Sequence, residues 1–323
     1  MTEELTAQSL AARMGKRLSL SRVTKPEVSG GVIGDSNVCL PGLLLAGFAE
    51  GFRADRVQVL GSREVSYIDS LTEDVREASL ARLCSPPVPC VIVVDGLAPP
   101  PLLVELGNSR GVPVFTTPLT SERLVRELAS ELEDLLAPQK IVHGTLVDVH
   151  GVGLLFTGKS GIGKSECGLD LVANGHRLVA DDVVCVMRTR GDYLIGYSSE
   201  LLRNHMEIRG VGIIDVQAMF GTKAFRQRKR IEVEVKLAVW SDLSDYERLG
   251  FEEDTSEILG VEIPAVTLPL VLGKNIIVIS EVIALNYLLK LRGINAARDF
   301  DRRQKDAMAR QAGVLRATRG DDE

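Results

Sequence analysis

A glycine- and lysine-rich stretch in the middle of the chain, GKSGIGKS at residues 158–165, constrains the fold more than any other feature. The apolar residues 152–157 precede it and predict a strand. Residues 166–173 follow it and predict a helix that ends near Gly175. Strand, glycine loop and helix in this order are typical of a phosphate-binding loop. Glycines let the backbone wrap around phosphate oxygens, and the N-terminus of the helix adds positive potential.

The loop predicts a nucleotide site that uses magnesium. Lys164 can reach the outer phosphates, and Ser165 can ligate the Mg²⁺ ion that bridges them. A glycine-rich turn that carries a surface lysine is the alternative, and the loop alone leaves the phosphate acceptor and the reaction open. The residues expected to contact the phosphates are Gly158, Lys159, Ser160, Gly161, Ile162, Gly163, Lys164 and Ser165.

The composition argues against several classes of protein. The chain has 323 residues, enough for two domains, and its apolar residues (45%) include few aromatic ones (4%), which favours α/β packing over a base-stacking surface. A net charge of −6 argues against a nucleic-acid partner. We find no apolar run of about eighteen residues and no signal-peptide pattern, so we expect no membrane partner and a cytoplasmic location.

The cysteines and histidines are scattered along the chain. The five cysteines show no C-x-x-C spacing, which argues against a zinc site and for reduced thiols. Cys167 lies in the first turn after the loop, where the helix dipole could lower the pKa of its thiol. His143, His150, His176 and His205, each taken alone, are expected to be structural.

The first part of the chain alternates short strands and helices. Residues 57–60, 91–94 and 112–116 predict strands. Residues 100–107 predict a helix with proline at its start and glycine at its end, and Thr120 caps a second helix that runs to about residue 136. This βαβ-like order predicts a small α/β domain over residues 1–136 with no catalytic constellation of its own.

Residues 137–140 are the expected linker, and residues 141–323 form the second domain. Residues 231–240 alternate apolar and polar side chains, which predicts a half-exposed strand with antiparallel neighbours. Residues 280–291 predict a helix capped by Ser280. The expected fold class is therefore α/β, with a small N-terminal α/β domain before a nucleotide-binding domain whose sheet is mixed or antiparallel.

Two segments after the loop could carry chemistry. The sequence RLVADD at residues 177–182 ends an apolar strand in two carboxylates, and only one of Asp181 and Asp182 can easily face a γ-phosphate as metal ligand or general base. An acidic turn is the alternative. Glu207 and Arg209 share a face if their segment is extended, which suits a metal ligand beside a phosphate-binding guanidinium. A surface salt bridge explains that spacing equally well.

Two further basic features remain open from the sequence. Arg248, taken alone, is a surface arginine. The basic run at residues 223–230 could attract an anionic effector or an acidic partner, with a solvated loop as the alternative.

Read together, these motifs resemble the HPr kinase/phosphorylase family, whose members act on a serine of the phosphocarrier protein HPr in bacterial sugar-uptake control. The likeness covers the second domain closely, and the first more loosely through residues 60–61 and 113–117. The motifs that carry it are HGTLVDVHGVG (143–153), GKSGIGKSE (158–166), LVADD (178–182), MEIRGVGIID (206–215), YERLG (246–250) and GKN (273–275).

The resemblance implies a bifunctional enzyme that uses ATP and Mg²⁺ to phosphorylate HPr, and inorganic phosphate to release pyrophosphate in reverse. It also implies a homohexamer and a P-loop kinase domain similar to the nucleotide part of phosphoenolpyruvate carboxykinase. By motif, Asp181 is the expected general base. The other roles implied are phosphate binding by Lys164 and His143, metal binding by Ser165 and Glu207, and charge stabilisation by Arg248.

The resemblance also marks two loops that serve the reaction. Here Lys274 stands where the family usually has arginine, which replaces a forked guanidinium with a point charge in a loop that the family assigns to dephosphorylation. The first loop comprises Met206, Glu207, Ile208, Arg209, Gly210, Val211, Gly212, Ile213, Ile214 and Asp215. The second comprises Pro269, Leu270, Val271, Leu272, Gly273 and Lys274.

Two alternative functions belong to other classes. One is a P-loop kinase for a small metabolite, or a carboxykinase-like enzyme. The other is a nucleotide-regulated binding module without phosphotransfer, although the sequence lacks the [NT]-K-x-D motif of GTPases and the L-S-G-G-Q signature of ABC ATPases.

Overall fold

The computed structural model describes residues 4–85, 87–239, 254–270, 275–300, 302–305 and 307–308. The chain divides into two compact units, Met1–Ala137 and Pro138–Glu323. Gln139 and Lys140, which the sequence assigns to the linker, are the first residues of a strand in the second unit. Within the described residues, no helix combines the length and apolar character needed to cross a membrane.

The first unit is built on a four-stranded sheet of order β1-β4-β3-β2. Strands β2, β3 and β4 are parallel, whereas β1 is antiparallel to β4. The strands are β1 (Ser21–Arg22), β2 (Gln58–Leu60), β3 (Val91–Val93) and β4 (Val114–Thr116). The helices are α1 (Ala7–Met14), α2 (Gly42–Leu45), α3 (Ser62–Ser70), α4 (Glu73–Leu83), α5 (Pro101–Arg110) and α6 (Ser121–Leu136).

Two apolar cores cover the two faces of this sheet. Thr120 caps α6 as the sequence predicts, since its side chain accepts a hydrogen bond from the N–H of Arg123. The predicted end of α5 at Gly107 is wrong, because the helix continues to Arg110 and ends at the left-handed Gly111. Gly107 is instead a contact residue, because a Cβ there would lie 2.7 Å from the carbonyl oxygen of Val112.

The second unit contains a six-stranded sheet of order β15-β16-β14-β7-β6-β8, a four-stranded sheet of order β13-β10-β9-β5, and the hairpin β11-β12. The strands are β5 (Gln139–His143), β6 (Thr145–Val149), β7 (Val152–Thr157), β8 (Arg177–Ala180), β9 (Val183–Arg188), β10 (Leu194–Tyr197), β11 (His205–Ile208), β12 (Gly212–Asp215), β13 (Arg228–Ile231), β14 (Val233–Val239), β15 (Thr255–Ile258) and β16 (Val261–Leu270). The helices are α7 (Lys164–Ala173), α8 (Val216–Phe220) and α9 (Ile276–Leu291).

The six-stranded sheet is mixed, as the sequence predicts. Strand β6 is antiparallel to both β7 and β8, while β14 is parallel to β7 and β16. Strands β7, β8, β14 and β16 therefore end at one edge of the sheet, where β6 begins. We call this the loop edge. The expectation of antiparallel neighbours for residues 231–240 is wrong, because β14 lies between two parallel strands that bury its Glu234.

Two layers cover the six-stranded sheet. Helices α7 and α9 pack on one face around Phe156 and Leu171, and the four-stranded sheet packs on the other around Leu155 and Val186. The predicted cap of α9 at Ser280 is wrong. The helix begins one turn earlier, where the Asn275 side chain accepts a hydrogen bond from the N–H of Val278. The hydroxyl of Ser280 instead donates to the carbonyl of Ile276 inside the helix.

Candidate active site

The glycine-rich loop joins the end of β7 to the start of α7 at the loop edge, in the strand–loop–helix order that the sequence predicts. Gly158 takes a φ of +143°, and a Cβ there would lie 2.6 Å from the carbonyl oxygen of Leu237. Only glycine therefore fits where the loop leaves the strand. The Nζ of Lys164 donates to the carbonyls of Gly158 and Lys159, at 3.2 Å each, so this amine lies across its own loop.

The hairpin β11-β12 lies beside the loop and carries two polar side chains, Glu207 and Arg209. Met206 anchors it, because this side chain is buried and its Cε lies 3.2 Å from the position of a Cβ on Gly168 of α7. Glu207 is exposed between the buried Met206 and Ile208. The guanidinium of Arg209 lies against the loop, since a Cβ on Gly161 would be 2.5 Å from its Nη2.

Asp181 follows β8 directly and is the buried one of the two adjacent aspartates. Its Oδ1 accepts a hydrogen bond of 2.6 Å from the hydroxyl of Thr145, the first residue of β6. Its Oδ2 is buried with no hydrogen-bond partner among the residues that the structure describes. Asp182 is exposed with a φ of +61°, and this turn directs the two side chains apart.

Burial raises the pKa of Asp181, because a charged carboxylate loses hydration inside the protein. The Thr145 hydroxyl, the Ser165 hydroxyl and the backbone N–H groups of Asp182 and Glu207 act in the opposite direction and lower this pKa. None of these groups reaches hydrogen-bond geometry with Oδ2. The carboxylate thus lies between β6, the phosphate loop and the hairpin, with one oxygen held and one available.

His143 ends β5, opposite Val183 on β9. Its neighbour Gly144 donates its N–H to the carbonyl of Asp182 at 3.2 Å, which holds the His143 backbone beside the segment that carries Asp181. The imidazole is exposed. His143, Asp181 and the phosphate loop therefore share the loop edge.

The second predicted loop is described only in part. Pro269 and Leu270 end β16 at the loop edge, opposite Ala238 and Val239 of β14. Arg248, together with Val271, Leu272, Gly273 and Lys274, lies outside the described residues.

Sequence reasoning missed two side chains beside the loop. Thr145 is fully buried and holds Asp181, but a single threonine at the start of an apolar strand gives no signal of that role. Glu234 was expected to face solvent, yet it is buried, and its Oε1 accepts a hydrogen bond of 2.6 Å from Thr157 at the end of β7. Its Oε2 has no hydrogen-bond partner within the described residues.

The expectation of an activated thiol at Cys167 is wrong. Burial raises the pKa of this thiol to about 11, and the nearby carboxylates of Asp170 and Glu166 add to the effect. Although the thiol lies at a helix N-terminus, it faces the core of the sheet rather than the loop. The thiol of Cys167 therefore stays protonated near neutral pH, and the helix N-terminus does not activate it.

The basic run ends in the edge strand β13, and its residues 223–227 precede that strand. Arg226 pairs with the buried Asp148 at 2.7 Å, and Lys229 pairs with Glu232 at 2.8 Å. The two arginines of β13 stack on tyrosine rings, Arg228 on Tyr197 of β10 and Arg230 on Tyr193, which directly precedes β10. These contacts give four of the five basic side chains a structural explanation, and the fifth, Lys223, is exposed.

A glycine-rich loop beside a buried carboxylate, at the edge where parallel strands end, is an arrangement typical of phosphotransferases. The oxygens of Ser165, Asp181 and Glu207 are hard donors of the kind that Mg²⁺ prefers. Such a donor set beside the loop fits the ion that accompanies nucleotide phosphates. The fold and the site thus define an α/β protein of the phosphotransferase class.

Comparison with known proteins identifies the family. The model described as "HPr Serine kinase N terminus" matches residues 5–132, and "HPr Serine kinase C-terminal domain" matches residues 134–304. The HPr kinase/phosphorylase of Chloroherpeton thalassium is 41% identical over 314 residues, which cover 97% of this chain and 92% of that protein. The chain belongs to the HPr kinase/phosphorylase family, and the resemblance read from the motifs is confirmed.

Two further comparisons cover different shares of the chain. The HPr kinase/phosphorylase of Geobacillus kaustophilus is 44% identical over 273 residues, or 84% of this chain and 88% of that protein. A solved structure of the Hpr(Ser) kinase/phosphatase from Coxiella burnetii is 30% identical, with a TM-score of 0.46, and covers 50% of this chain and 98% of that one.

Proposed function

We propose that this chain transfers the γ-phosphoryl group of ATP to a serine of HPr, and that with inorganic phosphate it removes the group again as pyrophosphate. The observation that carries the proposal is Asp181. It is a buried carboxylate beside the phosphate loop, with one oxygen held by Thr145 and the other without a partner among the described residues. The family's names supply the protein substrate and both directions of the reaction.

In the kinase direction, the serine hydroxyl attacks the γ-phosphorus in line while Oδ2 of Asp181 accepts its proton. The raised pKa of Asp181 makes its carboxylate a stronger base than an exposed aspartate. Thr145 holds the other oxygen, so the base is oriented before the substrate arrives. Lys164 turns from its loop carbonyls toward the transferring phosphate, and Arg209 adds a forked cation beside Gly161.

In the phosphorylase direction, an oxygen of inorganic phosphate attacks the phosphorus of phosphoserine. The P–O bond to serine breaks, and protonated Asp181 donates its proton to the departing serine oxygen. The products are HPr and pyrophosphate, so no hydrolytic water is consumed. The same carboxyl serves both directions because the reverse proton transfer retraces the forward one.

The remaining roles complete the proposed site. Ser165 and Glu207 would hold Mg²⁺, which when bound neutralises charge on the phosphate oxygens. His143 would contact the transferring phosphate from the end of β5, and Arg248 would stabilise developing charge. Lys274 stands where the family usually has arginine, and a lysine would bind phosphate less well because it lacks the bidentate fork. We therefore expect the reverse reaction to be slower than the forward one.

The experiment is mass spectrometry of purified HPr after incubation with the enzyme, ATP and Mg²⁺, followed by excess phosphate and a pyrophosphate assay. Asp181→Asn is the test variant, and Asp182→Asn is its matched control. Asparagine tolerates the left-handed backbone of Asp182, which is exposed. We expect the first change to slow both directions by about 10²- to 10⁴-fold and the second to leave them near wild type.

Each outcome decides between functions. Phosphoserine that forms and then disappears with pyrophosphate release supports the full proposal. Phosphoserine that persists in phosphate restricts the proposal to the kinase direction. ATP binding without any phosphoserine would overturn it, and would favour a small-metabolite kinase or a nucleotide-regulated module.

We further propose a homohexamer in the cytoplasm. The support lies on α9, where Val278, Val282, Leu285 and Leu289 are exposed at helical spacing and form one apolar stripe. Contact with another copy of the chain would remove this stripe from water. Light scattering on the purified protein measures the mass directly, and a monomer at micromolar concentration would contradict the proposal.

A further inference from the structure

Two histidines and a glutamate cluster at the end of the six-stranded sheet opposite the loop edge. His150 lies in the turn between β6 and β7, His176 directly precedes β8, and Glu281 lies on α9. One potential ligand atom of each lies within 4.8 Å of the other two. Strand β7 separates the cluster from the phosphate loop by six residues, or about 20 Å.

The donor atoms converge on one carboxylate oxygen. The Nε2 of His176 lies 3.0 Å from Oε1 of Glu281, and the Nε2 of His150 lies 3.7 Å from the same oxygen. A tetrahedral zinc ion with bonds of about 2.0–2.2 Å holds its ligand atoms roughly 3.3–3.5 Å apart. The two observed separations bracket that value, and the two imidazole nitrogens lie within 4.8 Å of each other, so side-chain movements of about an ångström would bring all three atoms onto one ion.

A hydrogen-bonded pair explains only part of this cluster. His176 and Glu281 make such a pair, but the His150–Glu281 separation of 3.7 Å is too long for a hydrogen bond. His150 and Gly151 form the turn with φ values of +52° and +84°, a geometry that favours asparagine and glycine. The turn geometry does not require histidine at position 150, yet the imidazole of His150 lies near Glu281.

We propose that His150, His176 and Glu281 form a binding site for a divalent transition-metal ion, with Zn²⁺ as the best match. Two imidazoles and one carboxylate are an established zinc ligand set that leaves a fourth position for water. The His150 side chain is 43% exposed, which leaves the cluster open to solvent on one side. This site is separate from the magnesium site proposed at the loop edge, whose donors are all oxygens.

A bound ion would act on stability rather than on chemistry. It would join the β6–β7 turn, the start of β8 and helix α9, which already meet here through the His176–Glu281 hydrogen bond, an edge-to-face contact of the two imidazole rings, and the apolar packing of α9 on β6 and β7. An ion that binds only the folded state stabilises it by mass action. At a hundredfold excess over Kd, we expect the unfolding midpoint of the second unit to rise by about 5–10 °C.

The experiment is titration of the full-length protein with Zn²⁺ and, for spectroscopy, with Co²⁺, in excess Mg²⁺ to occupy sites of oxygen donors. The test variants are His150→Asn, which suits the left-handed turn, and Glu281→Gln, which keeps the side-chain volume. His205→Asn is the matched control, because His205 is exposed outside the cluster. His176 is left intact because it is buried and its loss could unfold the unit.

We expect one equivalent of Zn²⁺ to bind, with an affinity that falls by at least about 100-fold in both test variants and stays unchanged in the control. The rise in unfolding midpoint should disappear in the same two variants. Co²⁺ should show tetrahedral d–d bands without a thiolate charge-transfer band. Absence of binding, equal binding in all variants, or a thiolate band would each overturn the proposal.

Discussion

The hydrogen bond from Thr145 to Asp181 can be separated from the packing of the same side chain. Thr145→Val removes the hydroxyl and keeps the methyl, whereas Thr145→Ser keeps the hydroxyl and removes the methyl. That methyl matters because it fills the space left by Gly168, where a Cβ would lie 2.6 Å from Cγ2 of Thr145. The two variants therefore test two different interactions at one fully buried position.

The expected magnitudes follow from the contact. A hydrogen bond to a charged group contributes about 1.5–3 kcal/mol, and losing it leaves a second unsatisfied oxygen on a buried carboxylate. The new methyl of valine would also stand at the position of Oγ1, only 2.6 Å from Oδ1, and must move away. We expect Thr145→Val to lose at least about 2 kcal/mol at neutral pH, and Thr145→Ser about 1 kcal/mol.

The pH dependence gives the sharper test. The valine variant loses a hydrogen bond that lowers the pKa of Asp181, so this pKa should rise above its already raised value. The difference in unfolding free energy between this variant and wild type should shrink as the pH falls through the pKa of Asp181. A neutral carboxyl loses less when the Thr145 hydroxyl is removed than a charged carboxylate does. The acid limb of the kinase pH profile should move to higher pH with valine and stay in place with serine.

Urea unfolding followed by fluorescence of Trp240, the single tryptophan, reports on the second unit, and initial rates with HPr give the pH profile. A stability loss in the valine variant that is the same at every pH would refute the argument, because it would mean that only packing had changed. Acid limbs that move equally in both variants would refute it as well. The KM for ATP should stay near wild type in both, since Thr145 faces Asp181 rather than the phosphates.

Asp181→Asn should stabilise the second unit at neutral pH. The raised pKa of Asp181 means that folding disfavours its ionised form. The gain in unfolding free energy is therefore present above the pKa of Asp181 and vanishes below the ordinary aspartate pKa. Urea unfolding measured at a series of pH values tests this. Gly168→Ala should lose about 1–3 kcal/mol in the same assay, because its Cβ would meet Thr145 at 2.6 Å. Arg209→Lys should raise the KM for ATP by about tenfold without changing the unfolding midpoint. The reason is that lysine lacks the planar guanidinium that lies on Gly161. An unchanged KM would show that Arg209 does not belong to the proposed site.

The local sequence was sufficient to predict the structure wherever the determining interactions lie within a few neighbouring residues. Strand, loop and helix around residues 158–165 follow from apolar runs on both sides of the glycines, and Thr120 caps α6 through a hydrogen bond three residues away. The family also follows from short ordered motifs, because each motif holds its specificity within about ten residues. The mixed sheet was predicted correctly, although the strand used to argue it has parallel neighbours.

Only the tertiary structure decided which side chains meet. Thr145 and Asp181 are 36 residues apart, and they touch because antiparallel pairing of β6 with β8 brings the start of one strand to the end of the other. Glu234 is buried because parallel strands flank it, whereas period-two alternation alone predicts exposure. Alternation reports which residues share a face of a strand, but burial depends on what packs there, and that is set by contacts distant in sequence.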